Sequence, residues 1–321
     1  MVKKTEVKDL VTRMCDMESK GYTIQTTAFE ILDQMLVSLS CDKGSLKASS
    51  DLCANLADYV LKEGRRGDVL AVIFSNMAYI ERQNDKRQDA IKTAITAFNI
   101  ATGNFAKGRV LEELALIYRF LNPRDLDSAI AYGMASATKY AQSGSHIKSA
   151  RANGIVGNCY LERSHEGDLA KAELYLQVDL DFNCKDESGR GKFSEGNARH
   201  GLGKLYLAQG KYEKAFEQFN AALEMYRTLA TGEKKEFLRG TVTLLIYAAC
   251  AASHFDYEKT LVVLEEADKR KEDSHEGDKP IIHDVLQTTF DTLNRTFVPR
   301  DLKTIVEVNK IRRDMLEHYS K

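Results

Sequence analysis

The sequence predicts an all-α fold, an array of antiparallel helix pairs with irregular capping helices at both ends. Three observations predict it. Apolar residues recur at helical spacing of three and four along the chain. Only three prolines, Pro123, Pro280 and Pro299, interrupt 321 residues, which argues against a β-rich fold. A pattern of small and aromatic residues also returns at intervals of roughly forty residues, as stacked supersecondary units require. With 43% hydrophobic and 29% charged residues, the composition supplies amphipathic helices.

Taken in order, Val7, Leu10, Val11, Met14 and Met17 mark a first amphipathic helix. Phe29, Leu32, Leu36 and Leu39, then Leu52, Leu56, Val60 and Leu61, mark a degenerate pair that ends at the loop Glu63-Gly64-Arg65-Arg66-Gly67. Repeated units follow at Ala78, Ala90, Ala94 and Ala97, and at Ala115, Tyr118, Ala129 and Gly133, the latter turning at Asn122-Pro123-Arg124-Asp125. A third unit holds Gly157, Tyr160, Ala172 and Leu176 and turns at Ser164-His165-Glu166-Gly167-Asp168. The clearest runs from His200 to Tyr226, and a fifth holds Ala248, Thr260, Leu264 and Ala267. Two closing helices, Ile281 to Leu293 and Leu302 to His318, are split at Phe297-Val298-Pro299, where proline lacks the N–H that would continue the first. The expected organisation is therefore N-terminal capping helices over 1–66, about five pairs over 67–272 and C-terminal capping helices over 273–321.

Within the clearest unit, Gly203 lies inside a helix, where glycine costs about 1 kcal/mol relative to alanine. Close approach of the second helix, through Ala215 and Phe219, compensates. Gly210 supplies the positive φ of the turn. Leu202-Gly203, Tyr206, Gly210, Tyr212, Ala215, Phe219 and Ala222 stand at the offsets of the tetratricopeptide repeat, which this unit resembles; Arg199 replaces its first aromatic, and the terminal proline is missing. Steps between equivalent small residues at 78, 115, 157, 203 and 248 are longer than the standard repeat of about 34 residues. That lengthening is similar to kinesin-light-chain and G-protein-signalling-modulator scaffolds over residues 67 to 272. The resemblance implies a right-handed superhelical solenoid.

Several functions are disfavoured. Lys+Arg of 46 against Asp+Glu of 47 leaves none of the cationic excess that nucleic acid or anionic membrane requires. The charged N-terminus is not expected to be a signal peptide, and no stretch reaches the roughly 18 apolar residues of a membrane span. Cys15, Cys41, Cys53, Cys159, Cys184 and Cys250 lack zinc-ligand spacing and should be reduced, with Cys184 the best candidate for a reactive thiol. Phosphate-binding, metalloprotease and nucleophile-elbow motifs are missing, so neither catalysis nor a cofactor or metal is expected. Ser-His-Glu-Gly-Asp occurs at 164–168 and at 274–278, and capping residues around a glycine explain both copies as turns. Asn294-Arg295-Thr296 matches a glycosylation acceptor but needs a secretory route, and Lys269-Arg270-Lys271, followed by Glu272 and Asp273, reads as a solvated helix end.

The resemblance implies that the first helix of each pair lines a concave groove. Carried over residue by residue, the partner-binding positions are Asn76, Tyr79 and Arg82; Arg109, Glu112 and Arg119; Arg151, Asn158 and Glu162; and Asn197, His200 and Lys204, with Leu116 and Leu207 beside them. Arginines and asparagines there suit a peptide backbone and its carboxylates, and the mixed charge suits an extended or helical peptide with acidic and apolar residues; a merely solvated charged face is the competing interpretation. The clamp that co-chaperones use for C-terminal carboxylates is absent: Gly157-Asn158 is present, but Gly154 stands where the cation is needed. The expected function is a non-enzymatic protein-interaction scaffold in the cytoplasm, within a cytoskeletal or ciliary assembly. Its partner would be a protein or peptide. The alternative is a vesicle-fusion adaptor resembling the soluble attachment proteins, which bind a coiled coil; Glu317-His318-Tyr319-Ser320-Lys321 lacks the acidic, leucine-bearing tail of that class.

Overall fold

The computed structural model describes residues 3–40, 46–64, 67–185, 189–229, 236–271, 279–297 and 302–320. Cys41, Arg65, Arg66, the second Ser-His-Glu-Gly-Asp at 274–278, Glu272, Asp273, Val298 and Pro299 lie outside them. Among the described residues the chain is all α-helical. The helices are α1 (Lys4–Ser19), α2 (Thr26–Ser40), α3 (Leu46–Lys62), α4 (Asp68–Gln83), α5 (Arg87–Ile100), α6 (Asn104–Arg119), α7 (Leu126–Gln142), α8 (His146–Arg163), α9 (Asp168–Asn183), α10 (Gly189–Ala208), α11 (Tyr212–Leu229), α12 (Glu236–Ala252), α13 (Tyr257–Lys269), α14 (Lys279–Thr296) and α15 (Leu302–Tyr319). No helix among the described residues is long and apolar enough to cross a membrane.

Two compact units divide the chain, Met1–Tyr175 and Leu176–Lys321. In the first, α4 with α5 and α6 with α7 form antiparallel pairs whose seams are built from small residues. Ala78, Ala90, Ala94 and Ala97 are fully buried against Val110, Leu114 and Ile117. Gly133 lets α8 approach, since a Cβ there would lie 2.7 Å from Val156 Cγ2. The N-terminal helices share one core with the array: Val7 and Val11 of α1, Leu32 and Leu36 of α2 and Leu56 of α3 pack with Leu70 and Ile73 of α4. Met17 and Leu61, expected on these apolar faces, are 39% and 40% exposed at the ends of α1 and α3.

The second unit holds the clearest repeat. Leu202, Ala215, Phe219 and Ala222 are buried, and a Cβ on Gly203 would stand 2.5 Å from the Phe219 ring, which is the close approach that compensates its helix penalty. Gly210 turns the chain at φ 70°, and the Lys211 N–H closes the turn on the Tyr206 carbonyl at 2.8 Å. Ala248, Leu264 and Ala267 carry the packing into α12 and α13. Leu286, Phe290 and Leu293 of α14 and Met315 and Tyr319 of α15 close that core, so the closing helices are one more packed pair.

Turn chemistry follows the side chains. Asp125 and Asp256 precede α7 and α13 and accept the backbone N–H of Ser128 and Lys259, each at 3.0 Å. In the first Ser-His-Glu-Gly-Asp segment, Ser164 ends α8 at φ 54° and Gly167 takes φ 78°. Asp168 there accepts the His165 N–H at 3.0 Å and pairs with Arg163 at 2.9 Å. The segment is a capped turn.

Candidate functional site

Helices α4, α6 and α8 are the first members of consecutive pairs, and their polar residues meet side by side. Arg82 donates through Nε to Glu113 at 2.6 Å. Arg119 donates to Glu162 at 2.5 Å, and Arg151 Nη2 stands 2.9 Å from Glu112. Nine of the twelve expected positions, from Asn76 to Glu162, therefore fall in one unit on one charged face.

Part of that face is covered by the chain itself. Helix α2 crosses the middle of α4 and the first halves of α6 and α8, and Asp33 is the residue that reaches all three. It accepts from Asn76 Nδ2 at 3.3 Å and from Arg109 Nε at 2.6 Å, and Lys148 Nζ donates to its second oxygen. Around it, Phe29 stacks on Phe105 with ring centroids 5.9 Å apart, Thr26 donates to the Ser143 carbonyl at 2.9 Å, and Ser145 donates to Glu30. Asn76, Arg109 and Glu112 are consequently buried, where the sequence placed them facing a ligand. Glu112 lies below the charged rim and accepts from the Tyr140 hydroxyl at 2.7 Å.

The electrostatics of the covered part are those of a closed ion network. Burial opposes ionisation of Asp33, yet the Lys148 ammonium and Arg109 guanidinium hold its carboxyl well below the ordinary carboxylate range. Burial likewise opposes ionisation of Glu112, and Arg151, Lys148 and Arg109 outweigh it, bringing the carboxyl to about 2. Burial pushes Lys148 downward against the pull of both carboxylates.

Beyond α2 the second halves of the same helices carry Tyr79, Arg82, Arg119, Asn158 and Glu162, while Arg151 stands in the first half of α8, one turn past Lys148. In two of the three pairs the carboxylate is the inner partner: the side chains of Glu113 and Glu112 are each 1% exposed, while those of Arg82 and Arg151 are 11% and 41% exposed; Arg119 and Glu162 are alike at 14% and 15%. Arg124, from the α6–α7 turn, joins Glu162 at 3.4 Å with half of its side chain in solvent. Two guanidinium groups rest on rings, Arg82 over Tyr79 at 5.4 Å and Arg119 over Phe120 at 5.1 Å. Asn158 donates back to the Gly154 carbonyl of its own helix at 2.8 Å.

The three remaining positions lie on α10 in the second unit. Lys204 stands over the Tyr247 ring of α12 at 5.7 Å, His200 tilts against the same ring at 5.6 Å, and exposed Asn197 accepts from the Tyr226 hydroxyl at 2.5 Å. They form a smaller aromatic and polar patch of their own.

Sequence reasoning missed Asp33, Lys148, Glu113 and Tyr140, which complete the charged face. Asp33 carried a signal: it sits beside Leu32 in the apolar stripe of Phe29, Leu32 and Leu36, where a carboxylate stays ionised only with buried cations. Nothing local marks Lys148, because its partner is on a helix 115 residues away.

Neither a protein-family model nor a curated protein sequence matches the chain. Among solved structures, BtubC (BKLC) from P. vanneervenii is similar over 71% of this chain and 89% of its own, with TM-score 0.56 and 16% identity. A tetratricopeptide repeat protein from Parabacteroides merdae aligns over 91% of this chain and 99% of its own, with TM-score 0.43 and 15% identity. In its fold the chain is a tetratricopeptide-type array of antiparallel helix pairs.

Proposed function

We propose that the chain is a non-enzymatic interaction scaffold that holds a segment of a partner protein against the face made by α4, α6 and α8. The observation that supports this reading most is α2 itself. A helix of this chain already lies on the first half of that face, seated by one carboxylate and one aromatic ring, Asp33 and Phe29. The second half offers the same chemistry, with arginines held on rings. The patch of Asn197, His200 and Lys204 is a second contact point for the same or another partner. A cytoplasmic setting, within a cytoskeletal or ciliary assembly, belongs to the same proposal.

The test is quantitative affinity capture with the full chain and with the Arg124→Glu variant, whose side chain is half in solvent, compared by mass spectrometry. Partners that bind the parent chain and are lost from the variant, with helicity by circular dichroism unchanged, are the expected result. An unchanged set of partners would remove this face as the site.

A further inference from the structure

We draw no further inference here: the strongest candidate, the open cavity of about 730 Å³ between the α1–α2 turn and the N-terminal ends of α4 and α6, offers two carboxylates that already close those helix ends, Glu18 against Gly67 and Asp68 on the Gly103 N–H at 2.9 Å, and nothing in the structure shows what fills it.

Discussion

Asp33 on α2 accepts a 2.6 Å hydrogen bond from Arg109 on α6, a residue 76 positions further along the chain. With Lys148 on the other oxygen, the carboxylate neutralises two buried cations at once. Removing one member of such a network leaves charge stranded in the core, which costs about 3–5 kcal/mol. Asp33→Ala should therefore lower the urea midpoint of the chain far more than the loss of an exposed carboxylate does. The triple change Asp33→Leu/Arg109→Met/Lys148→Met should recover only part of that loss, because the three apolar residues need no counter-charge but Glu112 and Glu113 lose cations that faced them. A loss of less than about 1 kcal/mol in Asp33→Ala would mean that α2 is held by its apolar residues alone.

The same network sets the acid limit of the first unit. Glu112 has a folded-state pKa of about 2 against an ordinary 4.5, and Asp33 is also depressed, so both contribute stability above their unfolded values and lose it as pH falls through the folded ones. Thermal unfolding followed by circular dichroism should show stability falling steeply between about pH 4.5 and pH 2. Glu112→Gln should flatten that fall, and an unchanged slope would contradict the assignment.

Gly203 tests the packing of the clearest repeat. A methyl group added there would stand 2.5 Å from Phe219, whose ring is enclosed, so Gly203→Ala should destabilise by about 1–3 kcal/mol despite the better helix propensity of alanine. Phe219→Leu in the same chain should reduce the added penalty. A higher melting temperature in the single variant would show that the two helices are not pressed together.

Among the five described cysteines, burial pushes Cys53 up to about 12 and Cys159 up to about 11, and it also raises Cys250, whereas Cys184 is exposed. A maleimide at neutral pH should label Cys184 in the native protein and reach Cys53, Cys159 and Cys250 only after unfolding, as read by peptide mass spectrometry. Rapid native labelling of Cys53 would place it outside the core described for α3.

What the sequence discloses follows the range of the interactions involved. Gly203, Ala215 and Phe219 are packed by neighbours a turn or a hairpin away, so their spacing alone announces the pair. Gly210 and Asp125 act within four residues of themselves and are legible for the same reason. The charged face is legible only by halves. The arginines at 82, 119 and 151 can be assigned to first helices from the repeat pattern, but their acids are on neighbouring helices, and the covering of Asn76 and Arg109 depends on where a degenerate N-terminal helix docks. Its sequence shows an apolar stripe with one carboxylate, which fixes neither the site nor the direction of docking.

A partner held by this chain should lie on α4, α6 and α8 beyond α2. A photo-crosslinking benzoylphenylalanine introduced in place of Leu116, on that face, should couple the captured partner to the chain. The same residue in place of Ile95, which is 48% exposed on α5, should not. Crosslinks from position 95 and none from position 116 would contradict it.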